Sequence, residues 1–440
     1  MSWHLVDEYG KEVSTGAILP GIGPSYTLIK GMDAGTDWLL GPGLDGFRSG
    51  IRGYVQGDDD IPLPCMLRLE GEDSANAFYA IAGNVFVPPI FSYDRPPPDC
   101  DFVFFARKQF FDDLRDGRDD EFARFRDASK EMRLGSPIGS APFSSSWGPK
   151  GGQPQLTRPN IGPPSSKSAW APGTVVVGVI DFGIAFGHNR FRLASGSRVQ
   201  SFWCQGMVPP EPPMVPPEPP SVPFGRELDK PEIDALLASA TVGGVVDEER
   251  LYRDAGLIDF AAGRDHKPAA WRLAHGTHVL DLLAGADPSE NVINRPIIAV
   301  ELPVGAVQDT SFRLLEPFVL LAIIHIFDRA ALLSGGGPPL PVVINFSFGM
   351  HAGPHDGSVF LERAMRLASQ LWLGKMRFVL PSGNGHLARG HAELDFKHAA
   401  PATGFRLPWR LQPDDKTPSV MQLWMPPGSP PPAGRVGLSV

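Results

Sequence analysis

Cysteine is scarce in this chain: three residues in 440, Cys65, Cys100 and Cys204, widely spaced and with no Cys-x-x-Cys pair. That pattern fits neither a disulfide framework nor a cysteine-based zinc site, and it favours a reducing compartment. Basic charge is also short, with 40 Lys and Arg against 49 Asp and Glu and a net charge of −9. A nucleic-acid partner is not expected, because such surfaces carry a basic patch or stripe. Long apolar runs are lacking as well. The longest, FVLLAIIHIF at 318–327, contains His325 and is too short for a bilayer. The opening MSWHLVDEYGKEVSTG has no basic head before an apolar core, so no secretory signal is read there. The expectation is a soluble, cytoplasmic protein without a membrane partner.

What the chain has in excess is proline, 47 residues or roughly twice the usual share, alongside 49 glycines. The rest is ordinary globular composition, 42% hydrophobic and 20% charged, and 440 residues suffice for a large core. Residues 1–133 read as an accessory α+β region. They hold β-like runs (AFYAIAGNVFVPPI, DFVFFA) and one charged helical stretch, KQFFDDLRDGRDDEFARFRDASKEM, with Phe110, Phe111, Leu114, Phe122 and Phe125 at helical spacing. GPGLDG at 41–46 fits a GxGxxG pattern, but no strand precedes it and no helical run follows, so no dinucleotide cofactor is expected. Residues 134–172 have the Gly, Ser and Pro content of a linker.

From 173 to 399 the pattern alternates. TVVVGVIDFGI, PIIAVELP, PVVINFSFG and MRFVLPSGN read as strands, and HGTHVLDLLAG, SFRLLEPFVLLAIIHIFDRAALL and HDGSVFLERAMRLASQLW read as helices between them. Strand and helix in alternation predict a doubly wound α/β fold, a mainly parallel sheet with helices on both faces. A proline-rich insertion interrupts it at about 205–270: PPEPPMVPPEPPSVP is read as extended, and GRELDKPEIDALLASA and DEERLYRDAG as short helices outside the sheet. Residues 400–440 alternate as strands do.

Reactive groups in such sheets collect at the carboxyl ends of strands. Asp181 closes VVVGVI, His275 opens a helix, and Asn384 follows FVLPSG. Singly, each has a structural explanation: a turn carboxylate, a polar helix start, a left-handed asparagine. In this order and on these elements they point to an acid, a base and an amide donor of one site.

The four segments together resemble the subtilisin-like serine proteases. VVVGVIDFGIAFGHNRF is similar to that family's aspartate segment, with Asp181-Phe182-Gly183 where Asp-Ser/Thr-Gly is usual and His188 near its usual His-Pro; HGTHV is identical to its histidine motif. VINFSFG is similar to its substrate-binding strand, and FVLPSGNGH to the segment with its oxyanion asparagine. The resemblance implies a subtilisin-like fold and a serine endopeptidase acting on a polypeptide substrate. Asp181 would orient His275, His275 would be the general base, Asn384 would stabilise the oxyanion, and Ser347, Phe348 and Gly349 would line the substrate cleft. His278 would be structural, and neither cofactor nor metal is implied.

Three departures matter. Leu280 and Asp281 stand where Ala-Gly usually follows HGTHV, and the insertion widens the gap between Asp181 and His275. No Gly-Thr-Ser segment follows Asn384; Ser439 has neither a small-residue turn before it nor a helix after it. The expectation is that FRLPWRLQPDDKTPSVMQLWMPPG opens a β-rich insertion, with the serine on a missing C-terminal segment or a second chain. The alternative is a pseudoprotease that binds peptides or regulates. A metal hydrolase using His386, His391, His398 and Asp395 is disfavoured, because their spacing matches no zinc arrangement.

Overall fold

The computed structural model describes residues 63–69, 76–78, 85–88, 101–135, 159–162, 170–207, 221–262, 264–271, 273–308, 314–349, 353, 355–385, 387–388 and 390–393, with the short strands His4–Val6, Glu12–Val13 and Gly437–Leu438. Outside the described residues lie GPGLDG, most of the Gly/Ser/Pro-rich stretch, 208–220 of the proline-rich segment, the 405–428 run, Ser439, His386, Asp395 and His398.

The first unit is a four-stranded antiparallel sheet: β1 (Leu63–Leu69), β2 (Val85–Phe86), β3 (Asp101–Ala106) and β4 (Ser129–Leu134), in the order β2-β3-β1-β4. Between β3 and β4 run α1 (Lys108–Asp116) and α2 (Asp120–Ala128). The charged stretch read as one helix is thus two helices and a strand. Gly117 takes a left-handed φ of 61° that stops α1, and Asp119 accepts from the amides of Glu121 and Phe122 to start α2. SKEMRL then pairs with β1. AFYAIAGNVFVPPI is likewise only partly strand: residues 76–78 are helical and the strand is Val85–Phe86. Phe78, Phe104, Phe110, Phe111, Phe122 and Phe125 form the core of this unit.

The second unit is a six-stranded sheet with helices on both faces. Its elements are β5 (Val176–Asp181), β6 (Val199–Cys204), β7 (Arg226–Asp229), α3 (Lys230–Ala240), α4 (Glu248–Asp254), α5 (His275–Ala284), β8 (Ile297–Glu301), α6 (Glu316–Ser334), β9 (Val342–Phe346), α7 (Phe360–Leu371) and β10 (Met376–Val379). The order is β7-β6-β8-β5-β9-β10, parallel throughout except for β7 on β6. The sequence pattern predicts a helix over GRELD. Arg226–Asp229 is instead a strand, because the edge of β6 offers pairing that outweighs the weak strand preference of its charged residues.

Side chains that alternate along each strand divide between the two layers. Val176, Ile180, Ile298, Val300, Val342 and Ile344 face α6 and α7, while Val177, Val179, Ile297 and Ala299 face α3, α4 and α5. The apolar run at 318–327 belongs to the longer α6, 19 residues with mean hydropathy 1.7, long and apolar enough by length and composition to cross a membrane, yet 67% buried within the fold. Its outer side is covered by the first unit, since Met66, Phe86, Val103 and Phe105 share one apolar cluster with Leu315, Phe318 and Phe224.

Candidate active site

Asp181 is the last residue of β5, with a completely buried side chain, and His275 is the first residue of α5. The two are 94 positions apart in sequence, and His275 Nδ1 lies 2.7 Å from Asp181 Oδ1. Contact with a carboxylate favours the tautomer that keeps the proton on Nδ1. Nε2 has no hydrogen-bond partner among the described residues, and the ring is 48% exposed, so a reactant can reach it. Burial raises the Asp181 carboxyl above its ordinary value, against the opposing hydrogen bonds from His275 and the Phe182 amide. Oδ2 of Asp181 is buried without a partner among the described residues.

Why these elements meet follows from the start of α5. The first amides of a helix lack intrahelical acceptors, and Ala274 supplies no side-chain cap. The turn after Asp181 fills that need: Gly276 N donates to Phe182 O (2.8 Å) and Thr277 N to Gly183 O (3.1 Å). Thr277 Oγ1 donates to Gly183 O and accepts from Ala185 N, both at 2.8 Å. The approach is so close that a Cβ on Gly276 would sit 2.9 Å from Asp181 Cβ, and one on Gly183, at φ +69°, would sit 1.8 Å from Leu273 O. The Gly-Thr of HGTH is therefore the contact that puts the helix against the aspartate.

Ser347, Phe348 and Gly349 follow β9, and Asn345 Nδ2 donates to Ser347 Oγ at 2.7 Å. The Phe182 ring stacks on the His275 imidazole, with centroids 5.7 Å apart and planes 8° from parallel, and Phe348 closes another side at 6.1 Å. Asn384 is exposed in the loop after β10. Its neighbour Gly383 has its Cα 3.2 Å from where a Cβ on Gly349 would stand, so the loops after β9 and β10 touch. Asp181, His275 and Phe348 form one cluster. Asn384 lies in the loop whose Gly383 approaches Gly349, and among the described residues no hydrogen bond joins it to Asp181 or His275.

Of the unusual pair after HGTHV, Leu280 is fully buried among Val177, Phe202 and their neighbours, and Asp281 turns outward to Arg190 Nε at 2.7 Å. His278 is exposed one turn beyond His275, and His188 caps the 189–191 turn by accepting from Arg190 N at 3.4 Å. Among the described residues no group of three or more His, Cys, Asp or Glu is placed to hold a metal ion; of the alternative set only His391 is described.

Two neighbours of the site were not singled out in the sequence. Thr277 was visible inside HGTH but has no reacting atom. Glu301 closes the apolar strand PIIAVELP as Asp181 closes its own. It pairs in register with Asp181, and its Oε2 accepts from Ile184 N at 2.9 Å.

No protein-family model matches the chain, and no curated protein does. Among solved structures, the CspB protease of Clostridium perfringens is similar over 48% of this chain and 36% of that one, at 18% identity and a TM-score of 0.28. The aligned part thus spans well under half of that protease.

Proposed function

We propose that this chain carries the acid and base of a subtilisin-like serine endopeptidase that hydrolyses peptide bonds in a polypeptide substrate. The observation that carries this reading is the 2.7 Å contact of His275 Nδ1 with a fully buried Asp181 carboxylate, which leaves Nε2 open to solvent. In this reading Nε2 takes the proton of a serine hydroxyl as it attacks the scissile carbonyl, and then returns it to the leaving amine. Asp181 keeps the ring in the required tautomer and stabilises the imidazolium. Asn384, on the loop beside Gly349, would donate to the carbonyl oxygen as it becomes negative, and Ser347, Phe348 and Gly349 would pair with an extended substrate. The serine would come from a segment or chain beyond the described residues. A reducing, cytoplasmic setting belongs to the same proposal.

A second reading is a pseudoprotease that binds a peptide beside His275 without cleaving it; it is favoured by the absence, among the described residues, of a hydroxyl on Nε2. One experiment separates the two. A fluorophosphonate probe applied to the complete protein as it is expressed should label a single serine, and the rate of labelling should fall by about 10²- to 10⁴-fold in His275→Ala. No labelling of the wild type, with peptide binding intact, decides for the pseudoprotease.

A further inference from the structure

We propose that Glu301 is a positioning residue of this site: its buried carboxyl fixes the 181–185 turn and thereby keeps Asp181 on His275 Nδ1. The inference rests on the acid and base reading of Asp181 and His275, and it concerns how that pair is held.

Glu301 ends β8 directly beside Asp181 on β5, and it is only 4% exposed. Leu302 N donates to Asp181 O at 2.8 Å and joins the ends of β8 and β5, while Gln205 N, just past β6, donates to Glu301 O at 2.9 Å. The turn is then gripped from both sides. Helix α5 takes its carbonyls at Phe182 and Gly183 and, through Thr277 Oγ1, its amide at Ala185. Between them, Ile184 N belongs to a residue 2% exposed and donates to Glu301 Oε2 at 2.9 Å. Without that acceptor a buried N–H is orphaned, and the turn must move to satisfy it.

The groups around the carboxyl explain how an acid is tolerated there. It faces Asp181 on β5, Asp265 from the 264–266 turn and Cys204 on β6. Burial, the first cause, pushes the Glu301 carboxyl up to about 8, and the neighbouring carboxylates push in the same direction. At neutral pH the group is thus a neutral acid. It accepts from Ile184 without putting a second negative charge beside Asp181.

Glutamine reproduces that neutral acceptor and methionine fills the same space without one, so the test compares Glu301→Gln with Glu301→Met and Glu301→Ala. The readout is the downfield Nδ1–H signal of His275 in protein labelled with ring-15N histidine, assigned by its loss in His275→Gln. We expect the signal in wild type and Glu301→Gln, and its loss in the folded Met and Ala variants and in Asp181→Asn. Signal retained in a folded Met or Ala variant, or lost in folded Glu301→Gln, overturns the role of Glu301 and leaves the pair standing. Signal retained in Asp181→Asn overturns the pair itself and this proposal with it.

Discussion

A carboxylate buried beside a half-exposed imidazole must be stabilised by hydrogen bonds, because burial alone favours its protonated form. Asp181 accepts from His275 Nδ1 and Phe182 N through the same oxygen, Oδ1, each at 2.7–2.8 Å. Phe182 contributes a ring face against His275, which packs the imidazole but offers Oδ2 no donor. Glu301 makes a pH signature of the same kind. Its carboxyl, ordinarily near 4.5, titrates at about 8 in the fold, so between those values the folded chain keeps a proton that the unfolded chain releases. Stability from this group is therefore fully present below about 4.5, declines as pH rises towards 8, and is level above. The slope is at most about 1.4 kcal/mol per pH unit. Urea unfolding from pH 5 to 9 should show that decline in wild type and a flatter profile in Glu301→Gln; parallel profiles would mean that Glu301 is ionised in the native protein.

At the scale of elements, α6 is an apolar helix that buries three polar side chains, Glu316, His325 and Arg329, and the last two turn toward the edge strand. Arg329 donates from Nε and Nη2 to the Glu227 carboxylate on β7 at 2.7 and 2.6 Å, and Ser201 Oγ donates to the same group at 2.6 Å. His325 Nε2 lies 3.0 Å from Ser201 Oγ, and burial holds its pKa well below the ordinary value, so it is neutral there. This network fastens the antiparallel edge strand to the helix beneath it and explains how RELD forms a strand at all. Removing one partner of a buried ion pair leaves an uncompensated charge, at a cost of about 3–5 kcal/mol, whereas replacing both with apolar residues costs far less. Arg329→Met should lower unfolding stability by that amount, and Glu227→Leu combined with Arg329→Met should recover most of it. Equal losses in the single and double variants would show that packing, not charge, sets the cost.

At the scale of the whole molecule, the two units share one core. Phe105 of β3, 3% exposed, meets Phe224 with ring centroids 5.3 Å apart, and Phe224 in turn packs on Trp203 of β6 and Phe318 of α6. Arg133 of β4 adds an ion pair to Glu316 at the start of α6 at 3.1 Å. Truncating a buried phenylalanine costs about 3–5 kcal/mol. Phe105→Ala should therefore lower the single unfolding transition followed by Trp fluorescence, Trp203 being buried on the far side of the contact. A variant in which that transition stays put while a separate, earlier one appears would show that the units unfold independently.

Much of this was legible in the residues themselves. Apolar runs of β-branched residues mark β5, β8 and β9, and the period of apolar residues marks α5, α6 and α7, because both signals depend only on neighbours along the chain. VQSFWC and RELD were not legible as β6 and β7, since what makes them strands is an adjacent edge contributed by residues far along the chain. Asp181 and His275 stood out by type and position. Their 2.7 Å contact, the Phe182 ring on the imidazole and the Glu301 carboxyl under Ile184 were decided only by tertiary structure. Sequence alone determines which face of each element is apolar and which residues close each strand. Which strand ends become neighbours depends on the order of strands in the sheet, and that order is set by how the two faces are covered, a property no local stretch of the chain contains.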